Sequence, residues 1–228
     1  MSAVTRPRRR TARATRRSGV GPIAIVGGGR LGTGLAAALR AAGVDVRLTR
    51  GRAPLPRALE ASPVWVLAVP DPLVAGVAST LASLRSGAAG SIVLHASASL
   101  PLAALDTLAT RGAAVGVMHP LVSFASKARP PELSGTTFVL AGAPRAVAVG
   151  RAIARAVGAR AVVRPVHGPR YHAVAALLAN GAAALAGTAE RELVLLGLSP
   201  LEARRAAGAL LGSVAANVAA LGMPRALT

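Results

Sequence analysis

The sequence predicts an α/β fold: a largely parallel sheet covered by helices, followed by an all-helical C-terminal domain. Three observations carry the prediction. Short apolar runs alternate with stretches of helical spacing from about Val20 to His167. Most of those runs are apolar without alternation, as expected for strands buried on both faces. From Gly168 onward only helical periodicity remains.

The elements follow in order. "PIAIV" reads as a first strand, and "RLGTGLAAALRAAG" as a helix with a glycine stop at Gly43. "VDVRL" is a second strand and "VWVLAV" a third, followed by the helix "PLVAGVASTLASL". "SIVLHA" is a fourth strand, "PLAALDTLATRG" a helix and "AAVGVM" a fifth strand. "TTFVLAG" is another strand, "APRAVAVGRAIARAVGA" a helix and "AVVRPV" a last strand. Two long helical patterns close the chain. In the second, Ser199 is the expected N-cap, with Pro200 in the first turn and Glu202 close behind. The domains expected are an arm over residues 1–19, a dinucleotide-binding domain over 20–167 and a C-terminally truncated helical domain over 168–228.

Composition narrows the function classes. The formal net charge is +19, yet of 27 basic residues only Lys127 is a lysine. Such a bias fits codon composition better than selection for a polyanionic partner. Seven arginines and no acid fall in the first 17 residues, a like-charge block expected to be disordered. With only Trp65, Tyr171, Phe124 and Phe138 as aromatics, the arm is not expected to bind nucleic acid. The absence of cysteine excludes disulfides and thiolate-bound metals, and no metal site is expected. "TRRSGV" resembles a twin-arginine start, but the apolar run after it is short and no clean cleavage site follows. "AVAALLANGAAALAGTA" is interrupted by Asn180 and Gly181, so no membrane span is expected, and the protein is read as soluble and cytoplasmic.

The segment "AIVGGGRLGTGLA" contains Gly27-x-Gly29-x-x-Gly32 between a strand and a helix. In that context it is a Rossmann-like dinucleotide fingerprint. Gly27 permits the tight turn, Gly29 lets backbone approach a pyrophosphate, and Gly32 lets helix and strand pack closely. An NAD site usually places an acid at the end of the second strand. Here "VRLTRGR" offers Thr49, Arg50 and Arg52 instead, which suits the 2′-phosphate of NADP over NAD. The expected cofactor contacts are therefore Gly27, Gly29, Arg30, Leu31 and Gly32, then Thr49, Arg50 and Arg52, then Val69, Pro70 and His95.

Ligands bind outside the carboxyl ends of such strands. Polar groups follow strands three, four and five there, in "AVPDP", "HASAS" and "HPLVSF". Pro120 biases His119 toward extended backbone, which prolongs the strand and aims the imidazole over the crevice. In "RYHAVAALLAN", His172 and Asn180 lie about 80° apart on one helix and share a broad face, while Tyr171 points elsewhere. The expected catalytic set is His119, His172, Asn180 and Ser97. Histidine suits proton transfer near neutrality.

Taken in order, "VGGGRLGTGLAAAL", "LAVPDPLVAGVA", "VLHASASL", "HPLVSF", "YHAVAALLAN" and the terminal "ALT" resemble a bacterial family of uncharacterised function. Its members join a Rossmann-like NADP-binding domain to a helical domain of unknown function. They are distant relatives of pyrroline-5-carboxylate reductase, prephenate dehydrogenase and 6-phosphogluconate dehydrogenase-like enzymes. The resemblance runs from about Val20 to Thr228. It implies NADP at Gly27, Gly29 and Gly32, and a site around His95, Ser97, His119, His172 and Asn180. The chain departs from it at Ala98, where the family has glycine, and it stops at "ALT", where the family continues. It also has Ala176 where beta-hydroxyacid dehydrogenases carry a lysine, so the proton donor is expected at His119 or His172.

The function expected is an NADP-dependent oxidoreductase acting on a small carbonyl or imine compound, an acid by class. Asn180 and Ser97 would orient the substrate, and Arg170 would meet its carboxylate. The alternative is an NADP-binding regulator or inactive homologue without turnover, since the fold alone guarantees no reaction. A homodimer through the second domain is expected by analogy with related folds.

Overall fold

The structure is a computed structural model that describes residues 21–51, 55, 62–84 and 88–226. The arginine-rich arm and Arg52 lie outside the described residues. The chain forms two compact units, one reaching to His167 and one beginning at Gly168.

In the first unit, seven strands make one sheet: β1 (Ile23–Val26), β2 (Val46–Thr49), β3 (Val64–Leu67), β4 (Ile92–His95), β5 (Ala114–Leu121), β6 (Thr137–Gly142) and β7 (Arg160–Val163). Their spatial order is β2-β1-β3-β4-β5-β6-β7. Every pairing is parallel except β5 with β6. The chain moves outward from β1 to β2 and then returns to the other side of β1 for β3. That reversal opens a crevice between the carboxyl ends of β1 and β3.

Side-chain alternation divides the core between two faces. Ile23 and Ile25 of β1 point to the face covered by α1 (Arg30–Ala41) and α4 (Pro144–Ala156), with Leu35, Leu39, Phe138 and Ile153. Ala24 and Val26 point to the opposite face. There Trp65, Leu81, Leu105 and Leu108 pack under α2 (Asp71–Ala82), a 3-10 turn (Leu102–Leu105) and the short α3 (Asp106–Ala109). Strands apolar on both faces thus hold two helical layers at once, as the sequence pattern requires.

Two elements differ from the sequence reading. "PLAALDTLATRG" is not one helix: it divides into the 3-10 turn and a single α turn. The fifth strand does not stop at Met118 but continues through His119 and Pro120 to Leu121. Beyond Val117 it has no parallel partner, so Pro120 sits where one edge of the strand needs no N–H donor.

The second unit is a pair of helices, α5 (Pro169–Leu195) and α6 (Pro200–Leu221). Asn180 and Gly181 do not interrupt α5, because one glycine costs a long helix only about 1 kcal/mol. By length and composition α5 could cross a membrane, with a mean hydropathy of 1.3 over its most apolar window. Ser199 caps α6: its side chain accepts from the Glu202 N–H, and the Glu202 carboxylate accepts from the Ser199 N–H at 2.9 Å.

Candidate functional site

At the crevice lies a cleft of about 490 Å³. Its floor is the backbone of Gly27, Gly28 and Gly29, between β1 and α1. Gly27 has φ +127°, and a Cβ there would stand 2.3 Å from the Ala68 carbonyl oxygen. At Gly32 a Cβ would stand 1.9 Å from the Gly27 carbonyl oxygen. Neither position admits a side chain, so loop and helix close onto each other. The Gly27 N–H donates to the Thr49 carbonyl at 2.8 Å, tying this loop to the end of β2. No side chain caps α1 at Gly29, and no acid lies in its first turn. The helix therefore presents N–H groups and positive partial charge to an anion.

Arg50 and Gly51 line the β2 side of the cleft. Gly51 approaches Val69 so closely that a Cβ would stand 2.2 Å from Val69 Cγ1. Opposite them stand Ala68, Val69 and Pro70 after β3, and Leu73 on α2. Lys127 completes the lining. Among the described residues the lining holds no acid, and no carboxylate pairs with Arg50 or Lys127. This donor set fits a dinucleotide carrying an extra phosphate at its adenosine end: a side-chain-free cradle for the diphosphate, an arginine beside β2 and no competing carboxylate.

Several expected cofactor residues sit elsewhere. Arg30, Leu31, Gly32 and Thr49 do not line the cleft; they shape it as the first turn of α1 and the end of β2. His95 closes β4 fully buried and does not line the cleft. Neither ring nitrogen makes a well-formed hydrogen bond. Burial pushes its pKa down to about 4, helped by His167, while the Pro101 backbone and Asp71 pull the other way. The imidazole is thus neutral at pH 7. Burial also lowers the His167 pKa, with the Val139 backbone opposing.

The rim after β3 and β4 holds a hydrogen-bonded chain that the sequence reading did not assemble. Ser99 Oγ donates to Asp71 Oδ2, joining the loop after β4 to the first turn of α2. Ser97 Oγ accepts from the N–H groups of Ser99 and Leu100, each at 3.1 Å. It also lies 3.4 Å from Ser99 Oγ. Ser99 spends its one proton on Asp71, so in the contact with Ser97 the Ser97 hydroxyl is the donor and Ser99 Oγ the acceptor. Both residues were visible in "AVPDP" and "HASAS", but spacing gave no sign of a contact across 28 residues.

Register puts His95 beside Leu67 and Val117 on one sheet face. His119 follows Val117 on the same face, about 7 Å further along β5. It is half-buried, past the end of β4. The first unit thus brings Ser97, Asp71, His95 and His119 to one end of one face. His172 and Asn180 belong to the second unit, both exposed on α5. Burial raises the pKa of Tyr171, on the same helix, to about 12.

Comparison with known proteins adds the following. Residues 47–120 match the model of a Rossmann-like domain, and residues 136–228 match a domain of unknown function, DUF2520. The chain carries both domains. The second match begins within the sheet, taking in β6, α4 and β7 as well as α5 and α6. No curated protein matches the chain. Among solved structures, a candidate NADP oxidoreductase from Bacteroides fragilis is 18% identical, with a TM-score of 0.62 over 92% of this chain and 84% of its own. A protein from Thermotoga maritima is 23% identical, with a TM-score of 0.62 over 90% and 82%. Plasmodium falciparum pyrroline carboxylate reductase, solved with NADP bound, is 12% identical, with a TM-score of 0.65 over 91% and 81%. At these identities the likeness is one of fold.

Proposed function

We propose that this protein is an NADP-dependent oxidoreductase that transfers hydride between nicotinamide and a small carbonyl or imine compound, an acid by class. The observation that carries the reading is the cleft at the switch point, with Gly27–Gly29 under it, Arg50 at the β2 side and no acid among the described lining residues. Relatives of the same fold named for NADP and for pyrroline carboxylate reduction support it.

When bound, the nicotinamide supplies the hydride; the protein's work is positioning and proton transfer. Gly27–Gly29 and Arg50 would hold the cofactor at the crevice. On the rim after β4, Ser97 would orient the substrate by turning its hydroxyl from Ser99 Oγ to a carbonyl oxygen. His119, on the same rim, moves a proton to or from the reacting oxygen or nitrogen. In the helical unit, His172, Asn180 and Arg170 are exposed on α5 and are the candidates there for proton transfer, substrate orientation and carboxylate binding.

A second copy of the chain completes this reading. In the helical unit α5 buries no residue, and Val174, Leu177, Leu178 and Leu185 are each more than 60% exposed. Two helices alone cannot cover such a face, whereas the same face on a symmetric partner can.

The test is to follow NADPH absorbance with a panel of cyclic imino acids and 2-keto acids, using wild type, His119→Gln and His172→Gln. Turnover that falls by about a hundredfold in one histidine variant, with NADPH binding kept, identifies the proton donor. NADPH binding with no turnover on any panel member favours the regulator reading.

A further inference from the structure

Lys127, the chain's single lysine, reaches the cleft from the connection between β5 and β6, distant in sequence from the Gly27 loop. Packing on α1 explains how. At Gly34 a Cβ would stand 3.0 Å from Phe124 Cε1 and 3.1 Å from Pro130 Cβ. The missing side chain lets the connection lie against α1 on both sides of Lys127. Phe124 also packs on the core beneath α1, and Leu133, further along, is buried in it. Between the anchors, Ser126 Oγ accepts from the Ala128 N–H at 3.1 Å, closing a local turn around Lys127. Residues 124–130 are therefore a strap pinned to the first helix of the nucleotide loop. The strap brings a cation to a cleft that already holds a helix N-terminus and Arg50. Three positive features converge, with no carboxylate among the described lining residues, an arrangement that favours a polyanion.

We propose that this strap is a phosphate clamp, in which the Lys127 ammonium pairs with phosphate oxygens of the dinucleotide held over Gly27–Gly29. The proposal rests on the NADP reading and adds to it an element outside the glycine fingerprint. An ammonium on a flexible stem suits a phosphate as a point charge, without the fixed fork geometry of arginine. The phosphate is either the diphosphate bridge or the 2′-phosphate, and the probes separate the two.

Because the chain has one lysine, amine acetylation followed by peptide mass spectrometry reads this site alone. The full chain is acetylated alone and with saturating NADPH, ADP or 2′-AMP, and NADPH binding is followed in parallel by nicotinamide fluorescence. NADPH is expected to slow acetylation of Lys127 severalfold. Protection by ADP assigns the diphosphate, and protection by 2′-AMP alone assigns the 2′-phosphate. Lys127→Ala should weaken NADPH binding about fivefold, and Lys127→Arg should restore most of it. If NADPH binds but neither the acetylation rate nor the affinity of Lys127→Ala changes, the clamp is overturned and the NADP reading stands. If neither NADPH nor NADH binds, both are overturned.

Discussion

At the residue scale, Ser97 and His95 lie at one end of the sheet and act by different physics. Ser97 acts through direction: two N–H donors fill its lone pairs, and Ser99 is committed to Asp71. Ser97→Ala should raise the substrate KM about fivefold, the worth of one hydrogen bond of about 1 kcal/mol, and leave NADPH affinity unchanged. An unchanged KM with weakened NADPH, measured by steady-state kinetics and fluorescence, would move Ser97 away from the substrate. His95 acts through its neutrality. Its folded pKa of about 4 lies below the unfolded value of 6.5. Between those values the unfolded chain binds more protons, so stability is whole above pH 6.5 and is lost as pH falls toward 4. The slope from this group is at most about 1.4 kcal/mol per pH unit. Urea midpoints between pH 7 and 4 should fall less steeply in His95→Leu, with a residual slope from His167, whose shift has the same sign. The sequence marked His95 as a site residue because it ends an apolar strand. It could not reveal that the fold buries His95 fully, beside the Pro101 backbone.

At the scale of elements, the alternation of apolar runs and helical spacing made the sheet legible. So did the glycine fingerprint, because β1, its loop and α1 depend on residues adjacent in sequence. Less legible was whatever depends on contacts between distant segments. The antiparallel return of β6 holds β5 extended to Leu121, and the strap reaches the cleft only because Gly34 gives it room. Two predictions belong here. Gly32→Ala forces a Cβ to within 1.9 Å of the Gly27 carbonyl oxygen, so loop and helix must separate. It should abolish dinucleotide binding and lower the melting temperature, whereas Gly28→Ala, which meets nothing within 4 Å, should change stability little. Ser199→Ala removes the capping box of α6 and should cost about 1 kcal/mol in the denaturation of the helical unit.

At the scale of the whole molecule, the two units differ in how they are held. The first has a core on both faces of its sheet; the second is a helix pair whose leucines face outward. Light scattering should report a dimer, and Leu177→Glu with Leu178→Glu should give a monomer whose first unit keeps its nucleotide affinity. A monomeric wild type would leave the exposed face of α5 without the partner assigned to it. The central claim concerns the cleft, and one measurement tests it most directly: titration of the full chain with NADPH and with NADH, followed by nicotinamide fluorescence, for wild type and Arg50→Ala. The account predicts that NADPH binds more tightly than NADH and that Arg50→Ala removes the difference, weakening NADPH by about tenfold or more while NADH is little changed. Equal affinities in the wild type, or a preference that survives Arg50→Ala, would contradict it.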